Sequence, residues 1–145
     1  MEKLTIVIYS DDATVRNSIR TSLGTRLAPN FPENQIEEFA TADALRLYAV
    51  ESNRENRRRI ALFILDGEAT PEGGLGLAKQ LKDEIFNCPP TLVIVARAQD
   101  AWLAGWSRAD GVVTHPIDPF TLSKTVASVL TKAGNLIATS AKNSG

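Results

Sequence analysis

The sequence predicts an α/β fold in which parallel strands alternate with helices. Apolar stretches rich in β-branched residues recur along the 145-residue chain, and segments with helical apolar spacing follow them. One stretch, residues 61–65, is apolar throughout, which is typical of a strand buried on both faces of a parallel sheet. Asp66 follows this stretch directly. We therefore expect Asp66 at the carboxyl end of a central strand, where open α/β sheets hold their ligands.

Length and composition indicate a single domain without disulfide or metal cross-links. A chain of 145 residues can bury its own core. Its formal net charge of −1 gives no general attraction to nucleic acid or to an anionic membrane. Cys88 is the one cysteine, so we expect it to be a half-buried packing residue. Because the chain has neither a membrane-length apolar stretch nor a signal-peptide pattern at its start, we expect a cytoplasmic protein without membrane insertion.

The first strand and the first helix have clear sequence patterns. Residues 4–9 are apolar and rich in β-branched side chains, which predicts a strand. Asp11 or Asp12 can cap the helix that follows, and Gly24 is suited to end it. The inward positions of this helix are Val15, Ile19 and Leu23.

An edge strand, a short helix and a charged connection are predicted next. The prolines and asparagines of residues 28–34 favour a loop, and the acidic residues 35–40 form a weak strand near a sheet edge. Thr41 can cap a short helix. Its expected inward side chains are Ala42, Leu45 and Tyr48 or Ala49. Residues 52–59 precede the central strand, so we interpret them as a solvated linker far from Asp66. The arginines of this linker are Arg54, Arg57, Arg58 and Arg59.

Two helices on either side of a strand follow the loop after the central strand. Helical spacing begins near Leu75. The apolar positions of this helix are Leu77, Ala78, Leu81 and Ile85. Residues 91–96 are then interpreted as an apolar strand, and residues 101–109 as a helix that carries Trp102 and Trp106 one turn apart.

The last strand and helix complete the predicted domain. Residues 111–114 form a short strand, and Asp118 or Pro119 opens the final helix. The inward residues of that helix are Leu122, Val126 and Val129 or Leu130. We therefore expect residues 1–133 to form the domain and residues 134–145 to form a polar tail that is mostly disordered.

Five strand–helix pairs predict a flavodoxin-like (βα)5 sandwich of three layers, with the strand order 2-1-3-4-5. The first and third strands are neighbours in that order, so Asp11 and Asp12 are expected to converge on Asp66. Carboxylates that are crowded together repel one another unless a cation neutralises them, and oxygen-only ligands of this kind suit Mg²⁺. The residues thus predict an acidic, magnesium-type site.

The chain resembles a response-regulator receiver domain of the chemotaxis-receiver type from residue 4 to about residue 130. Four motifs match that family in order and spacing. They are the acidic loop Ser10-Asp11-Asp12 with Arg16, the phosphoacceptor position Asp66, the Gly74-Leu75 pair that opens the third helix, and His115-Pro116 at the position of the family's Lys-Pro, where a cis peptide is usual.

The resemblance implies a function and a set of site residues. In receiver domains an aspartate, here Asp66, accepts a phosphoryl group. Mg²⁺ is held by that aspartate, by an acid of the first loop and by a backbone carbonyl. By position these are Asp11, with Asp12 as an auxiliary candidate, and the carbonyl of Glu68.

Several positions depart from the family pattern. Ser10 stands where the family has the first acid of its pair, and Val112 where it has an aromatic switch residue. Val95 replaces the strand-four Ser or Thr and cannot donate a hydrogen bond. His115 replaces the strand-five lysine, and histidine is shorter and mostly neutral at pH 7. Hydrogen bonds to charged groups are worth about 1.5–3 kcal/mol each, so these losses predict an atypical receiver with transfer weakened about 100-fold or more.

Three functions remain open at this point. The leading hypothesis is a stand-alone atypical response regulator of a two-component phosphorelay, since no output domain follows the last helix. It would act through contacts with a sensor kinase, a downstream protein or a second copy of itself, and not as an enzyme or on nucleic acid. One alternative is a phosphorylation-independent interaction module with the same fold. A more distant alternative is a small Mg²⁺-dependent phosphohydrolase that uses Asp11 and Asp66.

Trp102, Trp106 and Val112 are the expected partner surface. Two tryptophans one turn apart share a helix face, and tryptophan is enriched at binding hot spots. The alternative for the tryptophans is a purely structural role in covering the core. The alternative for His115 is a packing or turn residue before a proline.

Overall fold

The five predicted strands form one parallel sheet in the computed structural model, which describes residues 3–55 and 59–134. The strands are β1 (Leu4–Tyr9), β2 (Asn34–Phe39), β3 (Ile60–Asp66), β4 (Thr91–Val95) and β5 (Gly111–Thr114). Their order is β2-β1-β3-β4-β5, and every neighbouring pair is parallel. The flavodoxin-like order 2-1-3-4-5 is therefore confirmed, and β2 is an edge strand as expected.

Helices cover both faces of this sheet. Those in the described part of the chain are α1 (Ala13–Leu23), α2 (Ala42–Glu55), α3 (Gly74–Glu84), α4 (Trp102–Trp106) and α5 (Pro119–Ala133). A single 3₁₀ turn, Ala98–Asp100, precedes α4. Helices α1 and α5 pack together on one face, and α2, α3 and α4 lie on the other. The result is the predicted three-layer sandwich.

Side chains of the central strands divide between two cores, one on each face of the sheet. In β1, Ile6 and Ile8 belong to the core under α1 and α5, whereas Val7 and Tyr9 belong to the core under α2 and α3. The strands β3 and β4 divide in the same way and are almost wholly buried. This two-sided burial explains why residues 61–65 are apolar at every position.

Two helix caps that the sequence left open are settled by hydrogen bonds. Asp12, and not Asp11, caps α1, and its carboxylate accepts the backbone N–H two residues on at 2.8 Å. The helix ends where Gly24 adopts a φ of +63°. Asp118 caps α5, and hydrogen bonds from the hydroxyl and the backbone N–H of Thr121 lower the pKa of Asp118.

Two predicted boundaries are wrong. Helix α2 continues to Glu55, so the first part of the predicted connection 52–59 is helical, because no glycine or proline interrupts the pattern there. Helix α4 is shorter than the predicted 101–109. It stops because the hydroxyl of Ser107 bonds back to a carbonyl of the helix and Arg108 takes a φ of +60°.

Cys88 lies between α3 and β4 and has no disulfide partner. It is half-buried, and burial raises the pKa of its thiol to about 11. A thiol of this kind is inert at neutral pH, which agrees with the packing role expected from the sequence.

Three parts of the predicted organisation fall outside the described residues. They are residues 1–2 of the domain, residues 56–58 of the linker, which include Arg57 and Arg58, and residues 135–145 of the tail. What the sequence indicates for them stays a prediction. Within residues 3–55 and 59–134, no helix has the length and apolar character needed to cross a membrane.

Candidate functional site

An open pocket of about 480 Å³ lies at the carboxyl ends of the strands, between β1, β3 and β5. Its lining residues are Asp11, Asp12, Val15, Asp66, Glu68, Ala96 and His115. All the predicted site residues with polar side chains are thus brought to one place. The parallel sheet explains this, because the loops that follow its strands all emerge at the carboxyl ends of the strands.

The centre of the pocket is Asp66, the last residue of β3, which is only 3% exposed. Its Oδ2 accepts a hydrogen bond from the Ser10 hydroxyl at 2.8 Å. Its Oδ1 accepts the backbone N–H of Glu68 at 2.9 Å and lies 2.9 Å from Nε2 of His115. Because a carboxylate can only accept, Nε2 is the donor in that contact. Three donors therefore compensate the buried charge of Asp66.

The two neighbouring aspartates of the first loop have different partners. Asp11 accepts two hydrogen bonds from Thr70, one from the backbone N–H at 3.1 Å and one from the hydroxyl at 3.2 Å. Asp12 instead turns to the start of α1 as its cap. Asp11 and Asp12 therefore line the same pocket as Asp66, as predicted. The carboxylate of Asp12, however, is used to cap α1.

Several contacts hold the loop of residues 67–73 over the pocket. The Tyr9 hydroxyl donates to the carbonyl of Glu72, and the side chain of Glu72 pairs with Arg46 of α2. Burial, followed by the charge of Glu72, raises the pKa of the Tyr9 hydroxyl. At the other end of the loop, Gly67 donates its N–H to the carbonyl of Ile94 at 2.8 Å. The loop that carries Glu68 and Thr70 is thus fixed to three elements.

The prediction that Val95 faces the pocket from β4 is wrong. Val95 ends β4, is 1% exposed and packs in the core under α2 and α3. Ala96, the next residue, lines the pocket instead, and its methyl side chain has no hydrogen-bond donor. His115 follows β5, and its backbone N–H bonds to the Val95 carbonyl at 2.9 Å. The predicted cis peptide between His115 and Pro116 is present. The imidazole lines the pocket and contacts Asp66.

Helix α4 carries the two tryptophans on the outside of the molecule. Trp102 is 69% exposed and Trp106 is 51% exposed, so neither is a core residue. The Lys79 ammonium lies 5.8 Å from the centroid of the Trp106 ring. Val112 of β5 is partly buried against the core on this face.

The described residues contain no ready-made group of three or more His, Cys, Asp or Glu side chains arranged to hold a metal ion. The carboxylates of the first loop accept hydrogen bonds instead, Asp12 from the start of α1 and Asp11 from Thr70. The two carboxylates of Asp11 and Asp66 and the carbonyl of Glu68 are nevertheless oxygen donors of the type that Mg²⁺ takes.

Two contacts of the pocket do not follow from the sequence. Ser10 stands at the position of a missing acid, yet its hydroxyl binds Asp66. Thr70 lies in the loop after the central strand and binds both oxygens of Asp11. A hydroxyl residue directly after the first strand was the signal for Ser10, whereas nothing in the sequence marks Thr70.

A parallel sheet in this order, with a buried aspartate and a second acid at its switch point, is the arrangement that the resemblance to receiver domains predicts. No protein-family profile matches the chain. Two curated relatives from two strains of Mycobacterium tuberculosis, each named as an uncharacterized response regulatory protein, are 47% identical over 127 residues. The alignment covers 88% of this chain and 91% of each relative. This chain therefore belongs to the response-regulator family.

Solved structures agree in fold. A chemotaxis-type receiver domain from Methanospirillum hungatei has a TM-score of 0.68 at 16% identity and covers 92% of this chain and 98% of its own. A response regulator from Chloroflexus aurantiacus has a TM-score of 0.70 at 19% identity and covers 90% of this chain and 99% of its own. At these identities the likeness supports the fold alone.

Proposed function

We propose that this protein is an atypical response regulator in which Asp66 accepts a phosphoryl group and the output is contact with other proteins. The observation that carries the proposal is the position of Asp66. It ends the central strand, is buried, and lines an acidic pocket together with Asp11 and His115. Membership of the response-regulator family supports the same assignment.

The proposed reaction is attack by a carboxylate oxygen of Asp66 on the phosphorus of a phosphohistidine in a sensor kinase, or of acetyl phosphate. The new oxygen–phosphorus bond forms as the bond from phosphorus to the leaving group breaks, and the leaving group keeps the electron pair. The product is an acyl phosphate on Asp66. His115, whose Nε2 lies 2.9 Å from Asp66 Oδ1, is placed to donate a hydrogen bond to a phosphoryl oxygen.

The oxygen donors of the pocket fit Mg²⁺ in type, and we propose weak binding. Asp11, Asp66 and the carbonyl of Glu68 would hold the ion, which keeps several waters when few protein groups are available. When bound, Mg²⁺ neutralises charge on the entering phosphoryl group. Binding is expected to be weak because few protein groups are available: Asp12 is used as a helix cap, and both oxygens of Asp11 already accept hydrogen bonds from Thr70.

The test is phosphorylation with a small donor. The protein is incubated with Mg²⁺ and acetyl phosphate, or with beryllofluoride, and intact mass and thermal stability are measured. We expect a mass increase of one phosphoryl group and a higher Tm with beryllofluoride, and we expect Asp66→Asn to lose both. Asp118→Asn is the matched control, because asparagine still caps α5. The absence of any adduct on the unchanged protein would rule out Asp66 as phosphoacceptor.

A second function, a phosphorylation-independent interaction module, is favoured by the hydrogen bonds of Asp66. Three donors already satisfy its carboxylate, so the pocket keeps its arrangement without a phosphoryl group. In this case a partner protein would bind Asp66→Asn as well as the unchanged protein. Turnover of a phosphomonoester would instead favour the phosphohydrolase considered above.

We propose that Trp102, Trp106 and Val112 form the partner surface. The two tryptophans present a large exposed aromatic area on one helix, and such residues are typical anchors of protein interfaces. Val112 packs beneath this face on the neighbouring β5. The partner would be a sensor kinase, a downstream protein or a second copy of this chain.

A further inference from the structure

Every hydrogen-bonding group of Ser10 has a partner. The residue is 0% exposed, and its hydroxyl donates to Asp66 Oδ2 at 2.8 Å. The same oxygen accepts the backbone N–H of Asp12 at 3.1 Å. Its backbone N–H donates to the carbonyl of Phe39 at 3.2 Å, and its carbonyl accepts from Arg16 at 2.6 Å. Ser10 is therefore held in one orientation, with its hydroxyl directed at Asp66.

We propose that Ser10 is a positioning residue that allows the Asp66 pocket to keep its arrangement without a divalent cation. A buried carboxylate needs hydrogen-bond donors or a cation to compensate its charge. Two donors compensate Oδ1 of Asp66, whereas Oδ2 has one hydrogen-bond donor among the described residues, the hydroxyl of Ser10. Removing this hydroxyl leaves a buried carboxylate oxygen without a donor.

The surroundings explain why a neutral residue suits this position. An acid at position 10 would bring a second carboxylate within contact of the buried Asp66, and the two charges would repel each other. Arg16 is not available to neutralise these two carboxylates, because its guanidinium already binds the Ser10 carbonyl and pairs with Glu38 at 3.2 Å. With an acid at position 10, the pocket would therefore need a cation, whereas with serine it does not.

The inference rests on the proposed cation site but not on phosphoryl transfer, so the two can fail separately. Thermal unfolding is measured in EDTA and in saturating Mg²⁺. The Tm of the unchanged protein should differ little between the two. Ser10→Ala should lose about 3–8 °C in EDTA and regain at least about half of that loss in Mg²⁺, because the ion then takes the place of the missing donor. Ser128→Ala, at an exposed position of α5, is the matched control and should behave as the unchanged protein.

Two further variants separate positioning from simple packing. Ser10→Asp should have its Tm raised by Mg²⁺ more than any other variant and should bind Mg²⁺ at least about 10-fold more tightly by calorimetry. In an Asp66→Asn background, Ser10→Ala should cause little further loss, because no charge remains to be compensated. If Ser10→Asp does not fold in EDTA, the comparison in the Asp66→Asn background still tests the positioning role of Ser10.

Two results would overturn the positioning role. One is a loss of Tm for Ser10→Ala that is the same in EDTA and in Mg²⁺. The other is a loss that is equally large with aspartate or asparagine at position 66. Failure of Asp66 to accept a phosphoryl group changes neither expectation, because thermal unfolding involves no phosphoryl donor.

Discussion

Of the two residues that follow Ile94, Ala96 lines the pocket and Val95 does not. Asp66 pairs in register with Ile94, so Val95 is the next residue along the neighbouring strand, and its side chain lies in the core. The methyl side chain of Ala96 cannot donate a hydrogen bond. If Asp66 accepts a phosphoryl group as proposed above, Ala96 would offer that group no donor, and His115 would offer one from the end of β5.

Ala96→Thr is expected to speed the labelling of Asp66 by acetyl phosphate by about 10-fold or more. A hydrogen bond to a charged group is worth about 1.5–3 kcal/mol, and a hydroxyl at this pocket-lining position can bind the incoming phosphoryl oxygens. The measurement is intact mass against time. Val95→Thr is the matched control, because it adds the same hydroxyl to the preceding residue, whose side chain lies in the core. Equal labelling rates for Ala96→Thr and the unchanged protein would show that this hydroxyl does not limit transfer.

The charged residues and the histidine of the pocket could be predicted from the sequence, but its β4 residue, Ala96 in place of the predicted Val95, and its hydrogen bonds could not. Strand order alone brings Asp11, Asp66 and His115 together, because each follows or ends a strand of one parallel sheet. The partner of each carboxylate depends on backbone angles in the connecting loops. Thr70 reaches Asp11 across 59 positions of sequence, and no periodic pattern encodes such a contact.

At the scale of secondary structure, the junction between β3 and α3 leaves no room for a side chain. A Cβ at Gly74 would lie 2.7 Å from the carbonyl oxygen of Asp66, and one at Gly67 would lie 2.6 Å from the carbonyl oxygen of Ile94. Both distances are shorter than atomic contact allows. The two glycines therefore let the loop turn back against the strand ends and bring Glu68 to the pocket.

Gly74→Ala is expected to destabilise the protein by about 2 kcal/mol or more, because the backbone at the start of α3 must move away from β3. Gly76→Ala lies in the same helix with nothing within 4 Å of its new Cβ, so it should stabilise by about 0.5–1 kcal/mol. Urea unfolding measures both free energies. A neutral effect of Gly74→Ala would mean that the junction is looser than its close contacts indicate.

Helix α4 shows what sequence patterns cannot predict at this scale. Apolar and aromatic residues continue through residues 101–109, so the spacing favours a longer helix. The local hydrogen bond of Ser107 and the left-handed backbone of Arg108 end it after Trp106. The strands were more predictable, because burial on both faces leaves a continuous apolar run that few other structures produce.

Across the whole molecule, the exposed tryptophans and the exposed apolar residues of α2 lie toward opposite edges of the sheet. Trp102 and Trp106 lie on α4, which follows β4 toward the β5 edge. Leu47, which is 62% exposed, lies on α2. This helix follows the edge strand β2 in the chain. A partner that binds at one site need not touch the other.

The double variant Trp102→Ala, Trp106→Ala is expected to lose binding to partner proteins while its Tm stays within about 2 °C, because both side chains are mostly exposed. Pull-down from source cells with the purified protein, followed by mass spectrometry, measures retention. Leu47→Ala is the matched control and should retain the same partners. Unchanged retention by the double variant would exclude α4 as the partner surface.

Tyr9, Ser10 and Asp11 follow one another at the end of β1, and each binds a different point of residues 66–72. A slip of β1 by a single position against β3 would turn these side chains to the wrong face and break all three contacts together. The acidic pocket can therefore form only when β1 pairs with β3 in the correct register. A protein with β1 in a shifted register would lack the pocket altogether.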